Sequence, residues 1–300
     1  MAAVIQSRKT ALITGAASGI GFAVAKLCRS RGMHLALLDI DAENLPRAKQ
    51  VLESVDNSLK TETYTIDVGD KSQWDSVAAQ VQSTFSTVDL VLLNAARGTK
   101  PKDSDPWVGN TEYWRTLFDT NVFGPIHGIS AILPLLKQDQ SPKAIVITGS
   151  KQGITNPPGG RSPAYNASKG AIKILTEHLA HDLRGDPATA HISAHLLVPG
   201  WTFTGLSGNV GPTDESQVQK MQGAWAPSQV AEELDRGLQR GSFYIICPDD
   251  ETDPALDAAR MQWGVEDILQ DRPALSRWEQ EWKVRAGKAI REDAGRRRGD

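Results

Sequence analysis

Cysteine is scarce in this chain. Cys28 and Cys247 are the two in 300 residues, too few for a disulfide scaffold, so a reducing, cytoplasmic setting is expected, with both thiols packed as small apolar groups. An excess of one charge is also lacking. The 33 Lys and Arg residues face 36 Asp and Glu, a formal net charge of -3, which provides no broad field to gather nucleic-acid phosphates or anionic lipid. No apolar run approaches the roughly 18 residues of a membrane-spanning helix, and Ala2 to Ile5 is too short for a signal-peptide core. Neither nucleic acid nor membrane is therefore expected as a partner. Metal-ligand spacing is missing too: His178 and His181 are the pair at a helical interval within a segment of helical period, and no Glu or Cys completes a set, so no metal is expected. The acids Asp249, Asp250, Glu251 and Asp253 read as a solvated turn.

What is present is an alternation. Short apolar runs with β character (Lys9 to Thr14, Met33 to Ile40, Glu62 to Val68, Val88 to Leu93, Ala144 to Thr148, His191 to Val198, Phe243 to Cys247) are separated by segments of helical period. Those segments include Ile20 to Cys28, about Lys71 to Phe85, Thr111 to Leu136 and Ala164 to Leu183. Strands alternating with helices form βαβ units, so the expectation is an α/β single-domain, Rossmann-type, doubly wound parallel sheet of about seven strands. Residues 1–250 form that domain. Asp253 to Trp282, with Met261, Trp263, Ile268, Leu269 and Trp278, is apolar enough to pack, so 251–282 is expected as a helical extension on the core. Residues 283–300, basic and nearly devoid of apolar side chains, read as a disordered tail.

The first strand runs into Gly15-Ala-Ala-Ser18-Gly19-Ile20-Gly21 and then a helix. A glycine turn there lets backbone N–H groups and the helix dipole meet a pyrophosphate, an approach that side chains at Gly15, Gly19 or Gly21 would obstruct. Asp39, 18 residues beyond Gly21 at the end of the second strand, can accept both hydroxyls of an adenosine ribose. Its charge would repel a 2′-phosphate, and no Arg or Lys lies between Gly15 and Gly21 or at position 40. NAD(H) is expected over NADP(H). Asp67 and Val68 would lie beside the adenine, and Asn94-Ala95-Ala96 would line the crevice.

Tyr165-Asn-Ala-Ser-Lys169 places a phenol and an ammonium four residues apart on one helix face. A phenol of pKa about 10 is a weak base at neutral pH, and an adjacent Lys+ favours its phenolate. With Thr14-Gly-x-x-x-Gly-Ile-Gly21, Asn94-Ala-Ala, Asn121-Val-Phe-Gly124, Ser150 and Pro199-Gly200 in order, the chain resembles the short-chain dehydrogenase/reductase family over about residues 8 to 248. That resemblance implies Tyr165 as general acid/base, Lys169 as the group that lowers its pKa and holds the nicotinamide ribose, Ser150 polarising the substrate oxygen, and Asn121 supporting a proton-relay water. It implies coenzyme contacts at Gly15, Ser18, Gly19, Ile20, Gly21, Asp39, Asp67, Val68, Asn94, Ala95, Tyr165, Lys169, Pro199, Gly200 and Thr202 or Thr204. The family usually has Asn-Ala-Gly where Ala96 stands here, and Ser150 lies two residues further from Tyr165 than usual, so a strict count lands on Gln152.

The expected activity interconverts a secondary alcohol and a ketone. Trp201 through Trp225, rich in glycine, reads as a lid whose tryptophans, with Gln152 and Trp107, line a roomy pocket for a bulky apolar or aromatic small molecule. Substrate contacts are expected at Ser150, Gln152, Tyr165 and Trp201. Apolar stripes at Trp114, Leu117, Phe118, Ile126, Ile129 and Leu133, and at Ile172, Leu175 and Leu179, point to a homodimer or homotetramer, since these two helices pair across subunits in the family. A redox-neutral dehydratase or cyclase and a non-catalytic NAD-binding scaffold are alternatives on the same fold.

Overall fold

Seven runs of β-branched and aliphatic residues become strands in the computed structural model, which describes residues 4–98, 109–158 and 162–299. Trp107 and part of the loop from Asn156 to Pro163 lie outside the described residues. The chain runs β1 (Thr10–Thr14), α1 (Gly19–Ser30), β2 (His34–Asp39), α2 (Asn44–Val55), β3 (Thr61–Thr65), α3 (Lys71–Thr84), β4 (Leu90–Leu93) and α4 (Thr111–Phe118). It continues through a π-helical turn (Asp119–Phe123), α5 (Gly124–Leu136), β5 (Lys143–Thr148), α6 (Gln152–Thr155), α7 (Pro163–Gly185), β6 (Ile192–Val198), α8 (Pro227–Arg240), β7 (Tyr244–Ile246), α9 (Pro254–Leu269) and α10 (Gln280–Arg298). The strands form one sheet in the order β3-β2-β1-β4-β5-β6-β7, parallel in every pairing.

Helices cover both faces, which is why the central strands are buried end to end and their sequences run apolar rather than alternating. Ala11 and Ile13 of β1 point into a core with α1, α2 and α8. Leu12 points to the other side, into a core with α3, α5 and α7. Strand order reverses between β1 and β4, and at such a switch point the strand carboxyl ends open a crevice. No helix among the described residues is long and apolar enough to cross a membrane.

Three local features differ from the sequence expectation. The single helix expected over Thr111 to Leu136 is divided, because Pro125 has no N–H for the carbonyl of Asn121 four residues earlier. The coil widens there, and the Gly124 N–H reaches back to the Asp119 carbonyl. Helix α2 buries only Leu45, Ala48 and Leu52 in an otherwise polar segment, so its apolar period is weak in the sequence. The third difference is a correction: 283–298 belongs to a helix, not to a disordered tail. Ala286, Ile290 and Ala294 recur every four residues and bury a seam against Ala259 and Trp263 of α9. The Arg272 guanidinium lies 4.0 Å from the Trp263 ring centroid, Trp263 Nε1 donates to Ser276 Oγ at 2.8 Å, and Arg298 pairs with Asp253 at 2.7 Å. One narrow row of small residues was enough, while the abundant Arg and Lys took the solvent side.

Candidate active site

At the switch point the glycine turn is shaped by steric necessity. Gly15 and Gly19 have φ of +65° and +53°, and a Cβ on Gly21 would lie 2.0 Å from the Gly15 carbonyl oxygen. Only glycine lets α1 start this close beneath the turn. Ser18, the residue before α1, makes no side-chain capping bond, so its hydroxyl is not committed to the helix. Thr14 Oγ1 accepts the N–H groups of Asn94 (2.8 Å) and Ala95 (3.0 Å), and Thr148 Oγ1 donates to Asn94 Oδ1 at 3.2 Å. The ends of β1, β4 and β5 are thereby tied together.

Asp39 sits at the end of β2. Its Oδ2 accepts the Ala17 N–H at 2.8 Å and its Oδ1 accepts that of Asp41 at 3.0 Å, so it braces the turn; the acid that accepts the N–H groups leading into α2, those of Glu43 and Asn44, is Asp41. Arg97 approaches Asp67 at 3.9 Å.

Tyr165 and Lys169 project from the first turns of α7 toward the end of β5. Lys169 Nζ donates to the Thr148 carbonyl at 2.7 Å and lies 5.8 Å from the Tyr165 ring centroid. Burial pushes the Tyr165 phenol above its ordinary value, and a hydrogen bond with Ser150 pulls it back. The same burial draws the Lys169 ammonium down to about 8. Ser150 therefore keeps its partner despite the longer spacing. Between them the chain forms α6 and turns at Asn156, whose φ is +42°. Gly153 is what lets α6 lie on α7, since a Cβ there would meet the Lys169 carbonyl carbon at 2.5 Å.

One cavity of about 760 Å³ connects these parts. It is lined by Gly15, Ser18, Gly19, Ile20, Asp39, Asp67, Val68, Asn94, Ala95 and Ala96 at the turn end, and by Ser150, Gln152, Tyr165, Lys169, Pro199, Gly200, Trp201, Thr202 and Thr204 toward the other. Two expected residues lie beneath its wall. Gly21 packs under the turn. Asn121 is buried, with Nδ2 donating to the Arg97 carbonyl and Ser168 Oγ, each at 3.0 Å, and Oδ1 accepting the Arg97 N–H at 2.8 Å.

Other expectations fail in detail. The segment from Trp201 to Trp225 is pinned at its ends, where the Trp225 N–H donates to the Trp201 carbonyl at 2.8 Å and the Phe203 N–H to that of Trp225 at 2.9 Å. Trp225 packs against the α1 side of the core, leaving Trp201 as that segment's tryptophan on the cavity. Asp250 and Glu251 form the exposed tip of a turn, but Asp249 at its base is directed inward: it accepts the Trp201 N–H at 3.2 Å and approaches Lys151 at 3.5 Å.

The sequence reading missed Lys151, Asp257 and Arg260, which also line the cavity. The last two come from α9, and nothing in the local pattern shows which strand-end loop that helix faces. The nearest available signal is Gly200, where a Cβ would meet Asp249 Oδ2 at 2.6 Å and Lys151 Nζ at 2.9 Å.

Residues 9–215 match the short chain dehydrogenase family. A "CLA biosynthesis dehydrogenase/reductase" of Lactiplantibacillus plantarum is 29% identical over 198 residues, which are 66% of this chain and 66% of that protein. Among solved structures, a short chain dehydrogenase/reductase from Burkholderia phymatum in complex with NAD is 29% identical, with a TM-score of 0.76 over 89% of this chain and 96% of that one. The 3-ketoacyl-(acyl-carrier-protein) reductase from Brucella melitensis, complexed with NADH, is 25% identical, with a TM-score of 0.65 over 77% and 90% of the two chains.

Proposed function

Because this chain belongs to the short-chain dehydrogenase family, we propose that it is an NAD-dependent oxidoreductase interconverting a secondary alcohol and a ketone on a bulky apolar or aromatic small molecule. The observation that carries this reading is the hydrogen-bonded Tyr165 and Ser150, with Lys169 one turn along, facing the same cavity as the glycine turn and Asp39.

The residues fit a dinucleotide. Gly15, Gly19 and Gly21 leave a cradle that Cβ atoms would fill, next to the uncommitted Ser18 and the positive end of α1. Ser18 and Ile20 would hold the pyrophosphate, Asp39 the adenosine ribose, Asp67 and Val68 the adenine side, and Lys169 the nicotinamide ribose, with Asn94, Thr202 and Thr204 nearby. Asp39 supports NAD over NADP, because its negative charge would repel a 2′-phosphate, and the next residue is Ile40 rather than a cation. When bound, the nicotinamide supplies the carbon that takes or gives the hydride.

The chain's own part is the proton. Tyr165 Oη takes the substrate hydroxyl proton in oxidation and returns it to the carbonyl oxygen in reduction, while Ser150 Oγ holds that oxygen by hydrogen bond. Lys169+ favours phenolate when the proton has to leave. Asn121 acts as a positioning residue, since its side chain is engaged by Arg97 and Ser168 and its main chain lies in the widened turn.

We also propose a homodimer or homotetramer, on the support of exposed Phe123, Ile126 and Ile174 on the π turn, α5 and α7, and a cytoplasmic location, on the support of the buried free thiols Cys28 and Cys247. A single 32.5 kDa species in light scattering would refute the assembly.

The deciding experiment follows NAD⁺ reduction by absorbance over bulky and aromatic secondary alcohols, beside NADP⁺ and Tyr165→Phe. Turnover with NAD⁺ that falls about 10²–10⁴-fold in the variant, with NADH binding retained, is the expected result. Retention of more than about a tenth of the rate would overturn the assignment of Tyr165.

A further inference from the structure

The end of the cavity away from the glycine turn has a charged wall. Lys151, directly after Ser150, places Nζ 2.6 Å from Asp257 Oδ2 and 3.5 Å from Asp249 Oδ2, and the three side chains are only 12%, 3% and 9% exposed. One buried cation thus serves two carboxylates. Burial foremost, and then the Asp249 charge, push the Asp257 carboxyl up, while its contact with Lys151 and the more distant Arg260 hold it down. Lys151 thus offsets one of the two carboxylate charges, and burial favours the neutral form of Asp257.

Arg260, one turn beyond Asp257 on α9, faces the same cavity in a different state. Its Nη1 donates to Thr252 Oγ1 at 3.0 Å, and among the described residues no carboxylate lies within ion-pair distance of it. A second cation stands close by: the Arg277 guanidinium is lowered first by burial and then by the Arg260 charge. A half-buried guanidinium that lines a cavity with one hydroxyl for a partner has most of its five donors uncommitted.

We propose that Arg260 is the anion-recognition residue of the substrate pocket, and that the substrate carries a carboxylate in addition to the reacting alcohol or ketone. The planar fork of a guanidinium matches a carboxylate in two parallel hydrogen bonds, which an ammonium cannot supply. Of the two acids that would repel such a ligand, Lys151 offsets one charge, and burial pushes Asp257 toward its neutral form. The inference rests on the oxidoreductase reading only in calling the ligand a substrate; the site itself is read from α9. A purely structural Arg260 would do no more than fasten Thr252 and stabilise Asp257.

The test is calorimetric binding, with and without NADH, of full-length protein to ω-phenylalkanoates of increasing chain length and to the matching primary amides. For the wild type, at least one carboxylate binds tenfold or more tightly than its amide. Arg260→Gln abolishes that difference and leaves amide affinity unchanged, Arg260→Lys restores part of it, and Tyr165→Phe retains it. No carboxylate preference anywhere in the series overturns the proposal, as does a preference that survives Arg260→Gln. If the Gln variant does not melt cooperatively, Arg260→Lys decides: an undiminished preference overturns the role of the fork. Failure of the oxidoreductase reading looks different, as absent NAD⁺ reduction with carboxylate binding and its Arg260 dependence intact.

Discussion

At one end of the cavity, Gly15, Asp39 and Asn94 come from the ends of β1, β2 and β4 and Gly19 from the start of α1, and their work is done by backbone groups, positive φ and one bracing carboxylate. At the other, Lys151 meets an acid 98 residues away, and Arg260 arrives on a helix beyond the last strand. A site made of main-chain shape is set by which residues are glycine. A site made of charge is set by which distant segments meet, and can change without disturbing the sheet. The first suits a ligand common to many enzymes, the second a ligand particular to one.

The sharpest way to break this contrast is to fill the turn. Gly21→Val has no room beside the Gly15 carbonyl; coenzyme binding measured by NADH fluorescence is expected to fall beyond detection, and near-normal affinity would show that the turn can open. Asp39→Ala comes next. Removing a charge that opposes a 2′-phosphate is expected to improve NADP⁺ relative to NAD⁺ by about tenfold or more in kcat/KM, about 1.4 kcal/mol. An unchanged ratio would assign Asp39 to bracing the turn alone.

The pH profile gives a smaller, graded effect. Reduction needs the Tyr165 phenol protonated and Lys169 charged. Burial holds the phenol above its ordinary value and brings Lys169 to about 8, so both requirements are met at neutral pH and the second is lost as pH rises through 8. The kcat/KM for NADH is expected to be level below that point and to fall up to tenfold per unit above it. A profile that rises across the same range would contradict the assigned roles. The mildest perturbation is Ile290→Ala in the α9 and α10 seam. It is expected to lower stability by about 2–4 kcal/mol in thermal melting, and to raise substrate KM severalfold while leaving NADH affinity intact. Equal loss of both affinities would mean that the two ends of the cavity are not separable.

Legibility followed the same division. Strand runs, the glycine turn and the Tyr165–Lys169 pair declare themselves within a few residues, because period and spacing are local properties. The break at Pro125 was equally local and still passed over, since Gly124-Pro125 sat inside an apolar stripe that continued on both sides. Ala286, Ile290 and Ala294 were outvoted by the charges between them. The pairing of Lys151 with Asp257 has no local trace, because it depends on how α9 folds back over α6.

The indole of Trp278 donates to the Asn156 carbonyl at 3.0 Å, and Asp257 holds Lys151, so the segment carrying Ser150 is fastened at both ends by residues translated long after it. In order of synthesis, Gly15, Asp39 and Asn94 all precede the residues of the pocket's far wall. Residues 254–298 thus set that wall from the end of the chain, while the glycine turn and Asp39 are laid down near its start.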